Sequence, residues 1–291
     1  MAEMQQVLDI KARLGECPRW CERERRLYWV DINNFRLNRF DPASGENVFI
    51  TFTEEMGCFA LREKGGFVGG MRNGFFILDS FDSGRLTPLV DPEADKPRNR
   101  FNDGRCDARG RFWAGTMREK REALDGWLYC LEADGTCTRK TGGVYTSNGV
   151  AFSPDNRTLY YSDTASHLIW AFDFDLDSGN IGNRRVFHQF PDGHGRPDGG
   201  SVDSEGCYWA ALYAGARVVR LSPAGRIIQE IPVPAKNPTM PAFGGPDMRT
   251  LYVTTARDGS SGEDLQRWPL SGDLFAVEVD VPGLVEHRFG G

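Results

Sequence analysis

One short pattern recurs six times along this chain, and that recurrence limits the fold more than any other feature. A turn leads into a large apolar pair and then small residues. The copies read RRLYWVDI (25–32), GGFVGGM (65–71), GRFWAGTM (110–117), RTLYYSDT (157–164), EGCYWAAL (205–212) and RTLYVTTA (249–256). Aligned on Tyr28, Val68, Trp113, Tyr160, Trp209 and Tyr252, they are spaced 40, 45, 47, 49 and 43 residues apart. Downstream of each copy comes an alternating strand, a turn built from Asp, Ser, Pro or Gly, and another strand, as in RLNRFDPASGENVFI (36–50). Those turn residues supply the required backbone conformations, and the flanks alternate as half-buried strands do. Helical periodicity is nearly absent.

Six units of about four short strands each predict an all-β, six-bladed β-propeller with four-stranded blades. The 291 residues suit one large domain covering 1–291. The chain stops soon after the sixth outer hairpin, so EMQQVLDIKA (3–12) is expected to supply the missing outer strand of the last blade and close the ring. A composition 40% hydrophobic and 26% charged can bury the core this needs. The formal charge of -6 argues against a nucleic-acid partner. No apolar run reaches the roughly 18 residues that span a membrane. The opening MAEMQQVLDIKARLGE lacks the basic and apolar segments of a secretory signal. Seven scattered cysteines, an odd count, suit free thiols in a reducing compartment, and the expected location is cytoplasmic.

The strand before each aligned motif should be the innermost of its blade, starting beside the central channel. Counting back 11 or 12 residues from the aligned position gives Glu16, Asn102, Asn148 and Asp198 in four units. The second unit has Met56-Gly57 there and the sixth Met240-Pro241. Four oxygen-bearing side chains in one equivalent slot predict a hard-cation site, since Ca²⁺, Mg²⁺ and Mn²⁺ prefer carboxylate, amide and water oxygens. Fe²⁺ or Zn²⁺ can also occupy such a set, although no Cys or His stands in the slot. Three or four protein ligands leave positions open for water and substrate.

With these residues identified, the chain resembles the SMP-30/gluconolactonase/regucalcin family of six-bladed propellers, in particular its bacterial sugar lactonases. The motifs that carry the likeness are LGECPRWCERERRLYWVDI, NRFNDGRCDARGRFWAGTM, SNGVAFSPDNRTLYYSDT, PDGGSVDSEGCYWAALY and FGGPDMRTLYVTTARDG, which together span nearly the whole chain. The resemblance implies one divalent metal bound by Glu16, Asn148 and Asp198, with Asn102 nearby, in contact with substrate or with metal through water. It further implies that Arg100 hydrogen-bonds substrate oxygens and that Asp198 doubles as general base. Relatives of the regucalcin type carry a second acidic substrate contact after GTM; this chain reads REKREALDG there, which leaves Glu119 or Glu122 as the candidate.

The expected activity is metal-dependent hydrolysis of a small sugar lactone to its aldonic acid. Another ester or phosphotriester hydrolysis on the same architecture, or a non-catalytic cation-binding propeller, are the competing readings. Oligomeric state is open. His167, His188, His194 and His287 share no slot, and no Gly-x-Ser-x-Gly elbow is present. Cys17 is expected to face the blade interior as a core thiol. Trp29, Trp113 and Trp209 are expected to pack between blades rather than stack on a sugar. The polar stretch 254–273 reads as a long loop.

Overall fold

The computed structural model describes residues 3–291. Six antiparallel four-stranded sheets form a six-bladed propeller. In the first blade the strands Gly15–Cys21, Arg26–Asp31, Arg36–Phe40 and Asn47–Thr51 pair in chain order, from the channel outward. The inner strands of the following blades are Met56–Leu61, Asn99–Cys106, Ser147–Phe152, Arg196–Val202 and Asn237–Gly244. These inner strands are covered on both faces and buried almost throughout, which is why they read without polar alternation. Outer strands such as Asn180–Gln189 face water along most of their length.

The N-terminal strand Gln5–Leu8 pairs antiparallel with Leu274–Glu278 and completes the sixth blade, as the leftover N-terminal stretch predicts. Its neighbour Asp273 is buried and accepts hydrogen bonds from the Ile10 and Lys11 backbone N–H groups at 3.0 and 3.1 Å. The first and last strands of the chain are thus held in one sheet.

The apolar core is a series of layers between neighbouring blades. One cluster joins residues from Cys17 to Phe112 across the first three blades, and another joins Trp20, Trp29 and Tyr252 across the first and sixth. Trp29, Trp113 and Trp209 are fully buried within these layers. The indole N–H groups of Trp113 and Trp209 donate to Asp107 and Asp203 at 2.7 and 2.9 Å. A buried Trp needs such a partner, because an unpaired indole N–H loses its water without compensation. Burying roughly 150–250 Å² per indole at about 25 cal/mol per Å² contributes ~4–6 kcal/mol each as an upper bound.

Two inner-strand arginines cross between blades. Arg19 Nη2 donates to the Gly104 carbonyl at 2.5 Å, and Arg105 Nη2 donates to the Gly200 carbonyl at 3.0 Å. Glu286, near the C-terminus, lies 3.6 Å from Arg19 and 3.4 Å from Arg105. The polar stretch 254–273 contains a short helix, Gly262–Arg267, where a plain loop was expected. Ser261 and Asp264 form a reciprocal capping box there, a signal too brief to stand out among the surrounding Gly and Ser residues. No helix among the described residues is long and apolar enough to cross a membrane.

Candidate active site

Every inner strand carries a β-bulge near its channel-side start, between Glu16 and Arg19, Met56 and Cys58, Phe101 and Asp103, Asn148 and Ala151, Pro197 and Gly200, and Pro238 and Met240. A bulge re-aims side chains and bends the strand. Beyond it the register recovers, so Arg19, Ala60, Arg105, Ala151, Ser201 and Ala242 face the six aligned residues Tyr28, Val68, Trp113, Tyr160, Trp209 and Tyr252. Three residues before these partners stand Glu16, Gly57, Asn102, Asn148, Asp198 and Thr239. The sixth-blade slot therefore belongs to Thr239, not to Met240-Pro241. Its hydroxyl donates to the Gly15 carbonyl at 2.5 Å and is buried away from the cavity. Gly57 fits because any Cβ there would meet the Phe101 carbonyl at 2.0 Å. Gly149, just after Asn148, has φ +62, a conformation that favours glycine.

Glu16, Asn102, Asn148 and Asp198 line one cavity of about 230 Å³, below the roughly 300–1,000 Å³ of drug-sized pockets. The four side chains are linked. Asn102 Nδ2 donates to Asn148 Oδ1 at 3.0 Å and to the Ser147 carbonyl at 2.9 Å. Asn148 Nδ2 donates to Asp198 Oδ1 at 2.5 Å and to Thr164 Oγ1 at 2.8 Å. The Cys17 N–H donates to Glu16 Oε2 at 3.1 Å. Upstream, the Asp163 carboxylate accepts from the Tyr145 and Thr146 N–H groups, and Asp31 does the same for Arg13 and Leu14. Two equivalent aspartates thus anchor the backbone just before Asn148 and Glu16.

Glu16 and Asp198 are each 5% exposed, and no basic group lies within 4.0 Å of either among the described residues. Burial raises both carboxyls above the usual carboxylate range, and the Asp198 charge pushes Glu16 further. No basic group touches the pair, although Arg121, Arg196 and Arg100 act on Asp198 across the cavity and offset part of the rise. Among the described residues no three His, Cys, Asp or Glu side chains cluster as a metal site. The donors are instead two carboxylates and amide oxygens, which suit a hard divalent cation. Cys17 belongs to the core, as expected: its Sγ lies 3.4 Å from the Phe59 amide nitrogen, and burial pushes its thiol up to about 12.

Arg100 is buried at the cavity wall, and its Nη1 donates to Asn102 Oδ1 and the Phe101 carbonyl, both at 2.8 Å. Burial lowers its pKa to about 10. Glu119 and Glu122 do not line the cavity. Glu119 pairs with Arg72 at 2.5 Å, while Glu122 lies 3.7 Å from Arg98, and both glutamates are exposed. Arg121, between them, lines the cavity instead. So do Arg196, Tyr213, Thr146 and Thr164, which sequence reasoning passed over. A signal for Arg196 existed: it stands two residues before Asp198, as Arg100 stands before Asn102. None of the four histidines reaches the cavity.

Comparison with known proteins places the chain in a family. The model of the SMP-30/gluconolactonase/LRE-like region matches residues 14–257. A protein from Pseudomonas putida named 6-deoxy-6-sulfogluconolactonase is 47% identical over 280 residues, covering 96% of this chain and 95% of its own. Regucalcin from Xenopus laevis is 38% identical over 292 residues, covering 98% and 97%. A crystal structure described as a calcium-binding regucalcin from Agrobacterium tumefaciens superimposes with a TM-score of 0.93 at 29% identity, covering 98% of this chain and 96% of that one. On this evidence the chain belongs to the SMP-30/gluconolactonase/LRE-like family.

Proposed function

We propose that this protein hydrolyses a small sugar lactone to the aldonic acid, with one divalent cation held by Glu16, Asn148 and Asp198. The observation that carries the reading is a pair of buried carboxylates without a basic partner, one of them tied through the Asn148 amide, opening into a monosaccharide-sized cavity. The lactonase name of the 47% identical relative supports the same reaction class.

Hydrolysis adds water to the lactone carbonyl carbon, breaks the ring C–O bond and moves the water's proton to the departing ring oxygen. A bound divalent cation supplies Lewis-acid polarisation of the carbonyl. Asp198 is the base for the water's proton, and a positioned base contributes about 10²–10⁴-fold. Its Oδ1 is fixed by Asn148, which leaves Oδ2 for that proton. Asn102 and Thr164 hold the Asn148 amide from either side. Arg100 offers the rest of its planar fork to substrate oxygens, since only Nη1 is engaged by the protein.

The test is acid release from a panel of pentono- and hexonolactones, with and without chelator. The reading expects turnover above the spontaneous rate that chelator removes and a divalent ion restores. Tight cation binding with no turnover on lactones, aryl esters or phosphotriesters would instead make this a cation-binding propeller, in line with the calcium-binding description of the structural neighbour.

A further inference from the structure

The position three residues past the slot alternates around the ring in a way that core packing does not require. Blades one, three and five carry Arg19, Arg105 and Ser201 there, while blades two, four and six carry Ala60, Ala151 and Ala242. All six are buried. The three polar residues stand on the same strands as Glu16, Asn102 and Asp198.

Each arginine reaches past the adjoining blade to the next one. Arg19 of the first blade donates to the carbonyl of Gly104 in the third, two residues beyond Asn102. Arg105 of the third blade donates to the Gly200 carbonyl and, at 3.1 Å, to Ser201 Oγ in the fifth, two and three residues beyond Asp198. Ser201 Oγ in turn donates to the Pro241 carbonyl of the sixth blade at 2.9 Å. Alternate blades are not neighbours, so the arginine bonds bridge the central channel, and alanine at the intervening positions leaves room for them. The accepting carbonyls are firmly seated. A Cβ on Gly104 would meet the Trp113 carbonyl at 2.6 Å, and one on Gly200 the Tyr208 hydroxyl at 2.1 Å. A single carboxylate, Glu286, stands between the two guanidiniums.

As core packing this arrangement is unfavourable. Arg19 is 1% exposed, and the Nε of both arginines is buried without a partner. Desolvating a guanidinium and leaving one of its donors unpaired costs stability that an apolar side chain of similar volume would keep. Arginine supplies what an apolar residue lacks, a long side chain ending in a rigid fork of donors that ties two strands at a set spacing. Neither arginine lines the cavity, yet the strands they tie are those that present Glu16, Asn102 and Asp198 to it.

We infer that Arg19 and Arg105 are positioning residues for the cation site. They span the channel as struts and hold the strands bearing Glu16, Asn102 and Asp198 at the separation the ion needs, without touching ion or substrate. The inference rests on the proposed cation site for its consequence and on the cross-channel bonds for its geometry. A site of this kind works only when the elements behind its ligands are themselves fixed.

The experiment uses Arg19→Met and Arg105→Met. Removing either arginine leaves Glu286 paired with the other, so no carboxylate is stranded. Calorimetric titration of Mn²⁺ into chelator-stripped protein should show about tenfold weaker binding in each variant. The melting temperature should move by no more than about 5 °C. Arg19→Lys and Arg105→Lys keep the charge but lose the fork, and should fall between wild type and the methionine variants. A second readout needs no ion. The side-chain amides of Asn102 and Asn148 bond across the third, fourth and fifth blades, and in ion-free protein their protons should exchange with water faster in the variants. Wild-type ion affinity together with wild-type amide exchange in the folded variants overturns the inference, whatever their melting temperatures. Should a methionine variant fail to fold, the lysine variants decide by the same two readouts. If the wild-type protein takes up no divalent ion, the cation reading fails by itself. Faster Asn102 and Asn148 exchange in the variants then still supports the struts, and unchanged exchange refutes them.

Discussion

Thr164→Val is the substitution that probes the site with least disturbance. Valine matches threonine in shape, so no void opens, and only the hydroxyl is lost. That hydroxyl accepts from Asn148 Nδ2 at 2.8 Å, and Thr164 is 6% exposed, so water does not readily replace it. Asn148 keeps its 2.5 Å bond to Asp198 and its 3.0 Å bond from Asn102, but the amide is no longer held on its third side. A net hydrogen bond is worth about 0.5–1.5 kcal/mol, and a buried donor left unpaired costs about 1–3 kcal/mol. A value near 1.4 kcal/mol corresponds to roughly a tenfold change in an equilibrium constant. Calorimetric titration of Mg²⁺ or Mn²⁺ into chelator-stripped protein should therefore show about tenfold weaker binding in Thr164→Val, with the melting temperature lowered by only about 3–5 °C. Thr164→Ser should restore most of the affinity. A variant that melts earlier but binds the ion as tightly as wild type would refute the claim that Thr164 orients a cation ligand.

Asp163→Asn exchanges one acceptor oxygen for a donor; when the amide replaces Oδ2, the bond from Tyr145 N–H at 3.2 Å becomes a donor facing a donor, while the Ser166 hydroxyl can turn to accept. The expected loss is about 2–3 kcal/mol in urea unfolding together with 10–100-fold weaker ion binding, because groups that orient a ligand matter nearly as much as the ligand. Unaltered ion affinity in the folded variant would show that Asp163 only shapes the turn. Glu286→Gln tests the cluster that Glu286 forms with Arg19 and Arg105. Burial raises the Glu286 carboxyl, but Arg105 and Arg19 outweigh it and hold it below its usual value. A folded pKa below the unfolded one contributes stability above the unfolded value, near 4.3, that is lost as pH falls through the folded value. At pH 7 the variant should be less stable by about 3 kcal/mol, since breaking a buried ion pair strands the arginines. The gap should close below about pH 4, and a gap independent of pH would contradict the assignment.

The sequence carried the architecture because a propeller repeats its unit. Six aligned motifs located the second strand of every blade, and the alternating hairpins located the outer two. Counting back 11 or 12 residues found Glu16, Asn102, Asn148 and Asp198 because each bulge inserts its irregularity in the same place. The count failed in the sixth blade, where the connection through GGPDM is longer and Thr239 takes the slot. Position alone could not separate Glu119 and Glu122 from Arg121. Two left-handed residues in succession turn that segment so that the arginine faces inward and both glutamates find other arginines. Asp31 and Asp163 were visible in LYWVDI and LYYSDT, yet their role depends on backbone N–H groups some 17 residues earlier. Contacts of that kind become legible only once the strands are in register.

The most direct measurement is the number of divalent ions bound per chain and the lactone turnover of the same samples, for wild type and Asp198→Ala. The account predicts one tightly bound ion whose removal and return carry activity with it. For Asp198→Ala it predicts a folded protein with less than a few per cent of wild-type turnover at saturating ion. Activity that survives chelation, or substantial turnover in ion-saturated Asp198→Ala, would contradict it.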